Sequence, residues 1–261
     1  MWSGDQTMMS KRSDFADQHF RTLAKAYEEV GNRTWLSGDF IESNLEASKN
    51  IFTPESLASR RPRPKGLEVL ALLSGIPFRA DFVNDLVRMQ QQFAAVLGDS
   101  LHYWVAPANL GLEYCVFKWP NESITQEHVN FIRKVLAELR YPSFSFSIRG
   151  IQINPDGCVV AKGFDDGSIL FEIRKRLRAE ISFLPDRQSG WAHVPLGRIL
   201  EPLGNEKFVK LRHLAESMKD TPVFSTELDV LRLVHETRWY MEEKTILVEY
   251  PSGDGVGCAA R

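Results

Sequence analysis

WAHVPLGRIL, the segment from Trp191 to Leu200, places a single histidine inside a short apolar run that ends in Leu-Gly-Arg-Ile. Such a run is typical of a buried β-strand. A histidine in an apolar strand is more often a core residue that bonds to the backbone than a catalyst. A functional role for His193 therefore depends on what the rest of the chain places beside it.

A second segment aligns with this one without a gap. GLEYCVFKWPNESITQEHVNFIRKVLAEL, which starts at Gly111, matches GWAHVPLGRILEPLGNEKFVKLRHLAESM, which starts at Gly190. Each contains a glycine, a short strand, a loop and a helix, and in this register Tyr114 falls opposite His193. The repeat predicts two halves related by pseudo-symmetry. Chance is the alternative, because few positions other than apolar ones agree.

The N-terminal part of the chain differs in pattern from the rest. From Ser13 to about Leu57 the apolar residues recur at helical spacing, which predicts two or three helices. SRRPRPK, Ser59 to Lys65, combines two prolines with four basic residues and disfavours both helix and central strand. We therefore expect a helical extension over residues 1–58, a linker over 59–65, a main domain over 66–250 and a flexible tail over 251–261.

Strands and helices alternate within residues 66–250. LEVLALLSGIP, YWVAP and LEYCVFKW read as strands, and ITQEHVNFIRKVLAEL reads as a helix capped by Thr125. FSFSIRGIQI alternates strictly and the turn NPDG follows it, which predicts a hairpin with CVVAKGF. Two more strands, TELDVLRLVHET and KTILVEY, close the domain. An α/β or α+β fold with a mixed sheet is expected.

The arrangement of these segments resembles the two-histidine (2H) phosphoesterase superfamily, which includes 2′-5′ RNA ligase-like proteins and cyclic nucleotide phosphodiesterases. The resemblance rests on His-x-x-Leu-Gly-Arg from His193, on the matching strand of the first half and on the hairpin GIQINPDG between them. It covers roughly residues 66–250. It implies an α+β fold of two lobes, in which two antiparallel or mixed sheets with outer helices surround a central cleft.

In the family, each lobe contributes a histidine and a hydroxyl residue to that cleft. Here Tyr114 and Val116 stand at the first pair of positions, and His193 and Pro195 at the second. The resemblance implies that His193 and Tyr114 are the catalytic candidates. Tyrosine is a poor base near neutral pH but a usable acid, while valine and proline side chains cannot donate a hydrogen bond to a phosphate. Standard two-histidine catalysis is not expected.

Two cationic residues near these positions are candidates for binding a phosphate. On a regular strand Lys118 lies on the same side as Tyr114, whereas Arg198 faces away from His193 unless Gly197 bends the strand. Lys118 is the better candidate on this reasoning. Either residue could instead be an ordinary surface charge.

Three hypotheses remain open. The first is a divergent phosphoesterase that acts on or binds a 2′,3′-cyclic or 2′-5′-linked nucleotide or RNA phosphodiester, with His193 and Tyr114 as a remodelled acid–base pair. The second is an inactive 2H scaffold that binds a nucleotide, an RNA end or a protein partner, which the N-terminal helices could recruit. The third is a different α/β protein.

Composition limits the remaining classes. A net charge of −2 gives no overall attraction for polyanions, although RKRLR at Arg174–Arg178 and SRRPRPK leave a local patch possible. The histidines and the three cysteines show no metal spacing, so we expect neither a metal nor a cofactor. We expect no membrane span and no signal peptide, and the cysteine pattern suits a reducing compartment such as the cytoplasm.

Overall fold

The computed structural model describes residues 4–219 and 223–253, with side chains from Gln18 onward. The helices are α1 (Gly4–Leu36), α2 (Glu42–Lys49), α3 (Pro54–Ala58), α4 (Ala80–Leu97), α5 (Gln126–Glu138), α6 (Ile169–Glu180) and α7 (Asn205–Ser217). The strands are β1 (Gly66–Gly75), β2 (His102–Trp104), β3 (Gly111–Lys118), β4 (Phe144–Ile153), β5 (Cys158–Asp165), β6 (His193–Ile199), β7 (Val223–Leu228), β8 (Val230–Arg238) and β9 (Glu243–Pro251).

The strands form two separate antiparallel sheets. Sheet A has four strands in the order β3-β1-β8-β9, and sheet B has five in the order β2-β6-β5-β4-β7. The two segments that align in the sequence contribute β3 to sheet A and β6 to sheet B. Each is followed along the chain by a helix, α5 or α7, so the strand, loop and helix predicted for each half are present.

Local signals in the sequence form the expected structures. The Thr125 side chain accepts a hydrogen bond from His128 N at 3.2 Å and so caps α5. In the NPDG turn, Gly157 has a φ of +80°, and a Cβ there would lie 2.2 Å from the Ile199 carbonyl oxygen. Only glycine fits this turn between β4 and β5. The single predicted strand TELDVLRLVHET is instead two strands, β7 and β8, which meet at Asp229.

The N-terminal helices share one core with the sheets. Leu23, Tyr27, Phe40, Leu45 and Phe52 belong to the same buried cluster as the side chains of sheet B and of α4 to α7. The Thr34 hydroxyl donates to Ile153 O at 2.7 Å, which ties the end of α1 to β4. Much of the apolar surface of these helices is therefore covered by the chain itself.

The basic, proline-rich segment 59–65 also lies against the main domain. Lys65 N donates to Ile51 O at 2.8 Å, and Thr53 N donates to Arg63 O at 3.0 Å. At the other end of the chain, Gly253 N donates to Tyr141 O at 2.9 Å, and residues 254–261 of the predicted tail lie outside the described residues. Within the described part of the chain, no helix combines the length and the apolar character that a membrane crossing needs.

Candidate functional site

A cavity of about 510 Å³ lies between the two sheets. Sheet A contributes Leu73, Glu113 and Glu236 to its lining, and sheet B contributes His193, Pro195 and Arg198. Further parts of the lining come from α2, from the segment 187–189 and from the region around Trp239 and Tyr240. A space of this size is within the usual range for a small-molecule site.

A bulge in β6 brings Arg198 to the same cavity as His193. Val160 pairs with Pro195, but the next pair along the strands is Val159 with Gly197, so Leu196 is an extra residue in β6. Such an insertion shifts the alternation of side chains by one position. A Cβ on Gly197 would lie 2.2 Å from Tyr103 O, so glycine is required there. The strand is therefore irregular at Gly197, which is the condition under which the sequence allowed Arg198 to face the same side as His193.

A bulge in β3 turns Tyr114 away from the cavity. Leu73 pairs with Glu113 and Leu72 with Cys115, which leaves Tyr114 as an extra residue. Paired residues share a face of the sheet, so Glu113 lies with Leu73 on the cavity side. Tyr114 lies in the core, 2% exposed, with its hydroxyl 3.1 Å from Ser74 Oγ. The structure therefore places Glu113, and not Tyr114, in the cavity with His193.

Val116 and Lys118 lie outside the cavity lining. The Val116 side chain is buried in a small cluster with Ala71, Leu73 and Val234 on sheet A. The Lys118 ammonium donates to Glu68 Oε2 at 2.6 Å. The expectation that Lys118 would be better placed than Arg198 is wrong in geometry, because the bulges in β3 and β6 reverse which of the two faces the cavity.

Three neighbours hold Arg198 in position. Its Nε donates to the Tyr240 hydroxyl at 2.6 Å, and its Nη1 donates to Ser48 Oγ at 2.6 Å and to Asp156 Oδ2 at 2.8 Å. Among the described residues, none accepts a hydrogen bond from its Nη2. A guanidinium fixed at two nitrogens is well prepared to bind an anion with the third.

The environment of His193 keeps its imidazole neutral. Burial, together with the charges of Arg174 and Arg198, lowers the pKa of His193 to about 4. Its Nδ1 is buried and has no hydrogen-bond partner among the described residues, which leaves Nε2 as the nitrogen that can meet a ligand. At neutral pH this nitrogen belongs to an uncharged ring.

Two of the carboxyl groups that line the cavity have pKa values shifted in the other direction. Burial raises the pKa of Glu236 to about 7, with repulsion from Glu113 in the same sense, although a hydrogen bond from Met241 N opposes the change. Burial likewise raises the pKa of Glu113, against the opposing charges of Arg174 and Arg187. Both groups can therefore hold a proton in a range where ordinary carboxyl groups have lost theirs.

Arg174 joins the two half-sites, which are β3 of sheet A and the residues just before β6 of sheet B. It was not among the candidates that the sequence indicated. It is 5% exposed, and it donates to Tyr114 O at 3.0 Å, to Glu113 O at 2.6 Å and to Trp191 O at 2.8 Å. These carbonyls belong to β3 and to the residues just before β6. The sequence held a signal, because Arg174 shares the helical spacing of Leu170, Ile173 and Leu177, which form the buried face of α6.

Aromatic and cationic side chains form one edge of the cavity. The Arg187 guanidinium lies 4.7 Å from the ring centre of Trp119, whose Nε1 donates to Arg187 O at 3.0 Å. The Trp119 and Trp239 ring centres are 6.2 Å apart. No group of three or more histidine, cysteine or acidic side chains in the described residues has the geometry to hold a metal ion.

Comparisons with known proteins support the fold but give no relative by sequence. No family model matches the chain, and no curated protein matches it. TT0787 of Thermus thermophilus has a similar fold, with a TM-score of 0.51, 16% identity, and coverage of 70% of this chain and 97% of that chain.

Two further solved structures are similar. E. coli LigT in its apo form gives a TM-score of 0.50 at 14% identity, covering 72% of this chain and 99% of that chain. A structure described as a phosphoesterase gives a TM-score of 0.50 at 16% identity, covering 71% and 98%. The predicted α+β architecture, with two antiparallel sheets around a cleft, is confirmed, and the chain shares its fold with these solved structures.

Proposed function

We propose that this protein binds a nucleotide or an RNA end through its phosphate, in the cavity between the two sheets, and does so without two-histidine hydrolysis. The observation that carries the proposal is Arg198, which is held by Asp156, Ser48 and Tyr240 beside His193 and has one nitrogen left for a ligand. A fixed guanidinium is a strong partner for a phosphate oxygen.

Other features of the cavity favour a nucleotide. Trp119 and Trp239 offer flat aromatic faces at its edge, and Arg187 adds a second cation. Stacking on aromatic rings is a common way for proteins to hold a base. The names of two fold neighbours, LigT and a phosphoesterase, also favour a phosphate ester as the ligand.

The same residues argue against two-histidine chemistry. That mechanism requires one imidazole in each half, and β3 contributes the carboxyl group of Glu113, but no histidine, to the cavity lining. The hydroxyl position of the second half is Pro195, which cannot donate to a phosphate oxygen. Losing one member of an acid–base pair lowers the rate by about 10²- to 10⁴-fold.

A second candidate function is hydrolysis by a remodelled acid–base pair. The observation that favours it is the opposite shift of two groups in one cavity, with the pKa of His193 lowered and that of Glu113 raised by burial. His193 would take the proton of an attacking water as the new bond to phosphorus forms. Glu113 would give its proton to the leaving oxygen as the old bond breaks.

The experiment is a calorimetric titration with AMP, 2′,3′-cyclic AMP and adenosine, followed by analysis of each mixture for products. We expect AMP to bind and adenosine to bind much more weakly, with Arg198→Gln removing the difference. Arg212→Gln is the matched control, because Arg212 is half-exposed on α7 and, among the described residues, its one ion pair is with Glu216. Equal binding of AMP and adenosine would contradict the phosphate site, and release of product would establish the second candidate.

A further inference from the structure

We infer that the N-terminal helices close this cleft around a single nucleotide, so that the protein takes mononucleotides in preference to a polynucleotide strand. The inference rests on the proposed function. It uses observations that the proposed function did not need, namely what α1 and α2 cover and how charge is distributed along the cavity.

The first observation is that α1 lies on the face of sheet B that carries His193. Lys162 pairs with His193, so these residues and Phe164, two positions further along β5, share one face. The rings of Phe20 and Tyr27 on α1 lie 4.6 and 5.7 Å from the ring of Phe164. This face of the sheet is therefore covered beyond His193, where a longer ligand would have to continue.

An aromatic contact carries this cover to the edge of the site. The Tyr27 ring lies 5.1 Å from Trp191, and Trp191 lies 5.9 Å from the His193 ring. The Tyr27 hydroxyl also donates to Gly163 O at 3.4 Å. A nucleic-acid strand leaving the cavity past His193 would have to displace the half-buried Trp191 and the buried Tyr27.

The second observation is that α2 forms another wall. Ala47 and Ile51 line the cavity, and the buried Ser48 accepts from Arg198 while it donates to Asp156 O. The segment 187–189 closes a further side, because Gln188 is bonded to the main chain of Val116. The fold neighbours are covered over 97–99% of their length but match only 70–72% of this chain, so this chain has additional segments with which to build such walls.

The third observation is charge. Polynucleotide binders present a continuous track of cations, one for each phosphate they hold. The cations that line this cavity are Arg187 and Arg198, and the acids that line it are Glu113, Asp156 and Glu236. Asp156 already pairs with Arg198. Two cations, one of which already pairs with an acid, suit one phosphate group and do not form a track for several.

The test compares AMP with the 5′-phosphorylated adenylate dimer and decamer, each titrated into the full chain at several salt concentrations. We expect the decamer to bind about tenfold more weakly than AMP or worse, with no increase in salt dependence, because each additional phosphate held by cations steepens that dependence. A decamer that binds more tightly and with a steeper salt dependence would overturn the inference and leave the proposed function standing. Failure of AMP and both oligomers to bind would overturn both.

A second measurement tests the closure without any nucleotide. Cys158 lines the cavity and is 7% exposed, so its alkylation rate, followed by peptide mass spectrometry, reports access to the chamber. We expect slow labelling that Ser48→Ala accelerates several-fold, while Ser43→Ala, on the exposed side of the same helix, leaves it unchanged. Fast labelling of the unaltered protein, or equal rates in both variants, would show that α2 does not close the cavity.

Discussion

The side-chain amide of Gln188 pairs with the main chain of Val116 through two hydrogen bonds. Its Oε1 accepts from Val116 N at 3.0 Å, and its Nε2 donates to Val116 O at 2.7 Å. Val116 lies in β3, the edge strand of sheet A, whereas Gln188 belongs to the segment that leads into β6 of sheet B. One side chain therefore replaces a missing neighbouring strand and joins the two lobes at the cavity.

Gln188→Ala should destabilise the protein by about 1–3 kcal/mol, because it leaves the buried main-chain groups of Val116 without partners. The free energy of unfolding, measured with urea, checks this. Gln126→Ala is the control, since the Gln126 side chain is exposed on α5 and, within the described part of the chain, is hydrogen-bonded to Asn130 alone. Equal losses in the two variants would show that the Gln188 contact contributes nothing special.

Arg174→Lys should destabilise the protein by about 2–4 kcal/mol, since a lysine cannot reach the three carbonyls that the planar guanidinium serves. Arg176→Lys, at a half-exposed position of the same helix where the side chain pairs with Glu180, should cost less than about 1 kcal/mol. Chemical denaturation of both variants gives the comparison. A well-tolerated lysine at position 174 would mean that the two halves are joined by other contacts.

Glu236→Gln should change how stability depends on pH. The pKa of Glu236 is raised to about 7 when folded, so the folded state binds more protons than the unfolded state between about pH 4.5 and 7. Its contribution is present in full below that window and is lost as the pH rises, by up to about 3 kcal/mol. The free energy of unfolding, measured by denaturation from pH 4.5 to 8, should rise in the variant relative to the unaltered protein as the pH rises. A constant difference would contradict the raised pKa.

His193→Gln should change the pH dependence of stability in the opposite direction to Glu236→Gln. The pKa of His193 is lowered to about 4 when folded, so the unfolded state binds the additional proton between about pH 4 and 6.5. The contribution of His193 is complete above that window and is lost as the pH falls. The variant should therefore lose less stability than the unaltered protein between pH 6.5 and 4. Observing the His193 ring by NMR should give a titration midpoint well below the ordinary value, and a midpoint near 6.5 would refute the shift.

Tyr114→Phe should cost about 1 kcal/mol of stability, through the lost contact with Ser74, and should leave ligand binding unchanged. Glu113→Gln is the contrasting variant, because Glu113 lines the cavity. Titration of both variants with AMP separates the roles of the neighbouring residues. If Tyr114→Phe alone weakened AMP binding, Tyr114 and not Glu113 would be the residue that contacts the ligand.

Several features of the molecule could be predicted from local pattern. The strand around His193, the cap at Thr125, the hairpin at NPDG and the two matching strand-and-helix halves follow from hydrophobic period and turn chemistry. These local patterns did not predict which residues face the cavity. The alignment with the strand of His193 pointed to Tyr114, and strict alternation from that position pointed to Lys118. The structure departs from this because β3 and β6 contain extra residues that shift the alternation.

The sequence by itself determined the main strands and helices, their order in two matching halves and the candidacy of His193, since these rest on residues close together in the chain. Its pattern left α/β or α+β open, and the two-lobed α+β arrangement was expected from the resemblance to a known family. Only the tertiary structure decided that Glu113 shares the cavity with His193, that Ser48 holds Arg198, and that Arg174 joins the two half-sites. These are contacts between residues far apart in the chain. Their geometry depends on sheet register, bulges and helix docking, which one-dimensional periodicity does not encode.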